Sequence, residues 1–124
     1  MVGAKKILVV DDEQDTLISM KMLLENSGYV VNTVVSGKDA LNLLKKEKFD
    51  LVLLDVMMPE MSGREVLEKI RADSKLKKQN VAFLSVVSLA KVGEKVIGKL
   101  KLTAFIDKTL SAPKILKKIK NALK

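Results

Sequence analysis

Two tandem aspartates, Asp11 and Asp12, followed by Glu13, close the short apolar run 7–10, and Asp55 closes the run 51–54. Ser85 stands at the same place after the run 81–84, and Asp107 with Lys108 after 104–106. If these runs are parallel strands, their carboxyl ends form the crevice where ligands of an open α/β sheet bind. Neighbouring ends of the first and third strands would bring Asp11, Asp12 and Asp55 together. Two ionised carboxylates ~4 Å apart repel by roughly 4 kcal/mol at an effective dielectric of 20, so positive charge must offset them. Lys108 is one source and a divalent cation is the other. Carboxylates without His or Cys make a hard oxygen site suited to Mg²⁺ or Mn²⁺, and Mg²⁺ pairs one or two carboxylates with a phosphoryl oxygen. The chemistry that fits is phosphoryl transfer. Asp55 would be the nucleophile, the cation and Lys108 would neutralise transition-state charge, and Ser85 would donate a hydrogen bond to the transferred group.

The elements that must position these groups follow from periodicity. Strand-length apolar runs at 7–10, 30–35, 51–54, 81–84 and 104–106 alternate with segments of helical spacing, which predicts an α/β domain of five β-then-α units with right-handed crossovers. The run 51–54 is continuously apolar, as a parallel strand covered on both faces should be. Helical stripes are Leu17, Met20 and Leu24; Ala40, Leu41 and Leu44; Val66, Leu67 and Ile70; Leu89, Val92, Val96 and Leu100; and Ala112, Ile115, Leu116, Ile119, Ala122 and Leu123. Ser36 with Asp39 and Ser62 with Glu65 predict capping boxes, Ser111 a further cap, and Gly28 the stop of the first helix. Met20, Met22, Met57, Met58 and Met61 read as gap fillers rather than metal ligands.

Composition excludes several other chemistries. The 124 residues contain no His, Cys or Trp. Ser/His/Asp and Cys/His catalysis, haem ligation by His or Cys, iron-sulfur clusters and Cys/His zinc sites are therefore ruled out, as is a phosphohistidine on this chain. No apolar run approaches the ~20 residues of a membrane span or the core of a signal peptide, so a cytoplasmic protein without membrane contact is expected. Length predicts one domain over 1–124.

With these residues in view, the chain resembles the receiver domain of two-component response regulators, the chemotaxis regulator among them. The resemblance is carried by Ile7-Leu8-Val9-Val10-Asp11-Asp12-Glu13, by the specific motif Asp50-Leu51-Val52-Leu53-Leu54-Asp55-Val56-Met57-Met58-Pro59 with Met61-Ser62-Gly63, by Leu84-Ser85, and by Phe105-Ile106-Asp107-Lys108. It implies a doubly wound, flavodoxin-like (βα)5 fold with a five-stranded parallel sheet in the order 2-1-3-4-5. It also implies a phosphorylation-activated switch rather than an enzyme. Asp11 and Asp12 would organise Mg²⁺ with Asp55 and the Met57 backbone carbonyl, and Asp55 would accept a phosphoryl group from a sensor histidine kinase. Ser85 and Phe105 would form the switch pair, relaying the change to the face made by the helix over 89–100, the fifth strand and the last helix. A downstream protein would read that face, with the chain a monomer or a phosphorylation-dependent dimer.

Two positions, 109 and 86, depart from the family pattern, and two more, 57 and 87, bear on the attack of water on a phosphoaspartate. Thr109 replaces the usual proline after the lysine; a cis bond costs about 3 to 4 kcal/mol before a residue other than proline, so a trans Lys108-Thr109 bond is expected. Val86 replaces a small residue and would tighten access. Met57 and Val87 cannot position a water by hydrogen bonding, which predicts slow self-dephosphorylation.

Each residue also has a plain structural reading. Asp11 and Asp12 could cap a helix, Asp55 could be a loop acid, Lys108 a surface lysine, Ser85 a strand-end hydroxyl and Phe105 simply core. Two rival functions follow: a pseudo-receiver scaffold that takes no phosphate, favoured by Val86 and Thr109, and an aspartyl-nucleophile phosphatase, disfavoured by Met57 where a second Asp would stand. Flavin binding is disfavoured because the first loop is acidic where a phosphate cradle needs free amides.

Net charge is +8, but residues 1–62 carry 7 basic and 10 acidic side chains, net −3, against 16 and 5, net +11, in 63–124. Aromatics are 3% of residues, too few for a stacking platform, and no basic recognition motif is present, so direct nucleic-acid binding is not expected. Lys91, Lys95 and Lys99 on the helix over 89–100, with the lysines of the last helix, form either a solvated face or a dock for an acidic partner.

Overall fold

The computed structural model describes residues 3–86, 93 and 98–124. Its strands are β1 (Lys6–Val10), β2 (Val30–Val34), β3 (Leu51–Leu54), β4 (Val81–Ser85) and β5 (Ala104–Asp107), and its helices are α1 (Gln14–Asn26), α2 (Gly37–Lys46), α3 (Gly63–Ala72) and the C-terminal helix α4 (Ala112–Ala122). All strand pairs are parallel and the order is β2-β1-β3-β4-β5. The expected sheet and order are therefore present, with strand ends within one residue of the predicted ones. The helix expected over 89–100 lies almost wholly outside the described residues.

Alternation along the strands splits the core into two layers. Leu8, Val10, Val52 and Leu54 face α2 and α3, together with Val66, Leu67 and Ile70. Ile7, Val9, Leu51 and Leu53 face the opposite layer, where Leu17, Met20 and Leu24 of α1 meet Ile115 and Ile119 of the C-terminal helix. β1 and β3 bury both faces, which is why their sequences are unbroken apolar runs. Each fully buried Leu or Ile contributes about 1.5 to 3 kcal/mol of transfer free energy.

Helix ends follow their side-chain chemistry. Ser62 and Glu65 form the reciprocal capping box at the start of α3, whereas at α2 only one arm is made, from the Asp39 amide to Ser36. Ser111 precedes α4 without a side-chain cap, and Pro113 in the first turn, with its preset φ, favours the start of the helix. Gly28 ends α1 at φ +95°, with its amide donating to Glu25 and that of Tyr29 to Leu24, a Schellman stop that glycine adopts without a Cβ clash. Two of the methionine expectations fail: Met22 and Met57 are exposed, while Met20 belongs to the core layer under α1 and Met58 and Met61 pack against the opposite layer.

Candidate functional site

The site forms at the carboxyl edge of the sheet because the backbone ladder runs one residue past three strands. The Asp11 amide donates to Val34 O (3.2 Å), the Asp55 amide to Val10 O (3.0 Å) and the Lys108 amide to Ser85 O (3.1 Å). These bonds fix the Cα positions of the chemical residues before any side chain is considered.

Each buried aspartate then spends one oxygen locally. Asp11 Oδ1 accepts from the Glu13 amide at 2.9 Å, and Asp55 Oδ1 accepts a longer bond from the Met57 amide at 3.4 Å. Their other oxygens face Lys108, whose Nζ lies 2.5 Å from Asp11 Oδ2 and 3.5 Å from Asp55 Oδ2. Asp12 is exposed, yet its carboxylate oxygen, with one each from Asp11 and Asp55, completes a trio within 4.8 Å of one another. Ser85 is fully buried, and its hydroxyl favours the ionised form of Asp55.

Electrostatics follow from this packing. Burial, then the charge of Asp11, raises the Asp55 pKa above the usual carboxylate value, against the lowering influence of Lys108, the Met57 amide and Ser85. Burial by itself would lower the Lys108 pKa, but the hydrogen bond to Asp11 and the charges of Asp55, Asp11 and Glu13 outweigh it and raise the ammonium above its ordinary value. Lys108 is thus no ordinary surface lysine.

The Lys108-Thr109 bond is trans, as expected, and the lysine nevertheless reaches both aspartates. Thr109 stabilises the turn in a way proline could not: its amide and its hydroxyl both donate to Asp107 Oδ1, at 2.8 and 2.7 Å, and these two bonds lower the Asp107 pKa. Val86 stands exposed beside Ser85, and Val87 lies outside the described residues. Phe105 is half-buried, edge-on to Phe83 with ring centroids 6.5 Å apart.

One site-forming residue enters the sequence reading only as part of a motif. A Cβ on Gly63 would lie 2.2 Å from the Asp55 carbonyl oxygen, and the Gly63 amide donates to Val56 O at 2.9 Å. The first residue of α3 therefore rests directly on the backbone of Asp55. The sequence signal is a glycine directly after a capping serine, where nothing about the helix itself calls for one.

The response regulator receiver domain family matches residues 7–120. The chain belongs to that family. Among its relatives, this receiver domain is 32% identical over 120 residues to the polar-differentiation response regulator DivK of Brucella ovis, covering 96% of each chain. It is 48% identical over 67 residues to the alkaline phosphatase synthesis transcriptional regulatory protein PhoP of Bacillus subtilis, a match to 54% of this chain and 28% of that longer one. Among solved structures, the receiver domain superposes on the chemotaxis protein CheY4 of Vibrio cholerae with a TM-score of 0.87 at 27% identity, covering 97% of this chain and 99% of that one. The response regulator TrrA of Thermotoga maritima, in complex with Mg²⁺-BeF, gives 0.84 at 30% identity and coverage of 95% and 98%. Receiver domains are signalling switches, and no helix among the described residues is long and apolar enough to cross a membrane.

Proposed function

We propose that residues 1–124 form one receiver unit that works as a cytoplasmic, phosphorylation-controlled switch, with Asp55 as phosphoryl acceptor. The observation that carries this reading is the gathering of Asp11, Asp12 and Asp55 into one cluster in which Lys108 pairs with both Asp11 and Asp55. Phosphoryl transfer is mostly positioning and charge neutralisation, and the cluster offers a nucleophile and a fixed cation. An Asp55 carboxylate oxygen bonds to phosphorus as the phosphorus-nitrogen bond of a kinase phosphohistidine breaks, its electron pair returning to the imidazole. Lys108 stays paired to Asp11 and neutralises the transferred oxygens, and the Ser85 hydroxyl moves from Asp55 to the phosphoryl group.

An oxygen-only trio within 4.8 Å suits a hard divalent cation. Asp11, Asp12, Asp55 and the Met57 backbone carbonyl would hold Mg²⁺ or Mn²⁺, which when bound supplies further charge neutralisation. TrrA, described with Mg²⁺-BeF, supports this assignment. Thr109, the departure that favoured a scaffold without phosphate, leaves Lys108 within reach of both buried aspartates, which weighs for the acceptor reading.

Phe105, half-buried and edge-on to Phe83, would reorient when Ser85 moves. Output would pass through the face of the 89–100 segment, β5 and the C-terminal helix to a downstream protein of acidic character, and the phosphodonor would be a sensor histidine kinase. The test is intact mass after acetyl phosphate with Mg²⁺. Wild type should gain one phosphoryl group and Asp55→Asn none; a wild type that gains nothing overturns the reading.

A further inference from the structure

At the end of the sheet opposite the aspartates, the chain enters β3, β4 and β5 through three loops that carry Lys48, then Lys75, Lys77 and Lys78, then Lys101. These strands are neighbours in the sheet, ~4.8 Å apart, so the loops lie side by side. Among the described residues, a cleft of ≈ 410 Å³ there is walled by Arg71, Lys77, Lys78, Lys99 and Lys101, with no acidic side chain. Through Lys78 it continues into a second cleft that adds Lys48 and Lys75, and with them Glu47 and Asp50, so that the lining stays net positive. Of the acids nearby, Glu47 is neutralised by Lys6, whereas Asp50 and Asp73 accept only backbone amides and keep their charge, so the wholly basic part of the surface is the cleft around Arg71.

Arg71 builds this surface. Its guanidinium donates to the carbonyls of Leu100 (2.7 Å), Lys77 (3.0 Å), Gln79 (2.7 Å) and Lys101 (3.0 Å), clamping the loop before β4 to the segment before β5. It has no carboxylate partner among the described residues. As a last-turn residue of α3, Arg71 also complements that helix's dipole. The loop lysines 48, 75, 77, 78 and 101 lie outside the described helices and lack that role.

We propose that this basic groove, remote from the phosphoryl site, binds the phosphate backbone of a nucleic-acid duplex without reading its sequence. Extended charge along three adjacent loops matches a linear polyanion, and lysine binds phosphate as a point charge. An acidic protein segment fits less well. Protein interfaces take their energy from apolar and aromatic anchors in pockets, and here Leu44 and Phe49 are already buried. The scarcity of aromatics that argues against stacking single-stranded bases does not bear on backbone contacts to a duplex.

The test is fluorescence anisotropy with a mixed-sequence duplex DNA of about 30 base pairs across a salt series, using the full chain. Two variants remove equal charge: Lys77→Gln/Lys78→Gln/Lys99→Gln/Lys101→Asn in the groove, and Lys114→Gln/Lys117→Gln/Lys118→Gln/Lys120→Gln on the C-terminal helix. The wild type should bind with log K falling linearly against log salt. The groove variant should bind at least about tenfold more weakly and flatten that slope by about 2 to 4, while the helix variant changes affinity less than about threefold. Equal losses in both variants, or no binding by the wild type at low salt, overturn the proposal. So does displacement of the duplex by polyglutamate at equal charge concentration, which would assign the groove to an acidic protein.

Discussion

Lys108 Nζ lies 2.5 Å from Asp11 Oδ2 although β3 and β4 separate their parent strands in the sheet. One side chain therefore ties the far strand of the site to its centre and supplies the cation that two buried carboxylates share. Replacing it with Met leaves both carboxylates without that charge. Lys108→Met should cost about 2 to 3 kcal/mol, less than a fully buried pair because the amine keeps some contact with water. Since a divalent cation can take over the neutralisation, denaturant midpoints of the variant should recover in millimolar Mg²⁺ more than those of the wild type do.

The raised pKa of Asp55 fixes the sign of a pH effect. The folded state holds this proton more tightly than the unfolded chain, so the contribution to stability is complete below the ordinary carboxylate pKa and is lost as pH rises through the raised value. Asp55→Asn removes the titration. At pH 7 the variant should be more stable than wild type and melt at a higher temperature. The gap should close towards about pH 4, and thermal melts over that range measure it.

Gly63 has no space for a methyl group, and the atom in the way is backbone rather than a flexible side-chain tip. Gly63→Ala should destabilise the fold by about 1 to 3 kcal/mol. It must also push α3 away from Asp55, so phosphorylation by acetyl phosphate should slow even in molecules that remain folded. An unchanged modification rate at a lowered Tm would mean that the contact supports the helix alone.

Met57 is 64% exposed and carries a thioether that cannot orient a water. The phosphorylated domain should therefore be long-lived. Met57→Asn, which adds an amide at the mouth of the site, should shorten the lifetime about fivefold, equivalent to one hydrogen bond of ~1 kcal/mol. Loss of the phosphoryl mass over time gives the rate.

The strands and the acidic cluster are legible in the sequence for the same reason: parallel strands buried on both faces need uninterrupted apolar runs, and their ends need polar residues. Asp11, Asp55, Ser85 and Lys108 are visible as a set because each follows such a run. Contacts made by backbone atoms are not legible in this way. The four carbonyls gathered by Arg71 belong to loops with no pattern of their own, and the fit of Gly63 against Asp55 depends on the angle at which α3 leaves its turn. Thr109 is a half-way case: its departure from the family pattern is plain, but its two bonds to Asp107 are a matter of turn geometry.

The Arg71 clamp also bears on the order in which the molecule comes apart. Its partners lie 6, 8, 29 and 30 residues along the chain, so all four bonds can exist only when the loop before β4 and the segment before β5 have already docked. Interactions that require such late closure contribute little to the folding transition state, and their loss is felt on the unfolding limb. In a chevron plot, Arg71→Met should accelerate unfolding while leaving the refolding rate nearly unchanged, which makes this residue a determinant of how long the folded chain persists rather than how fast it forms.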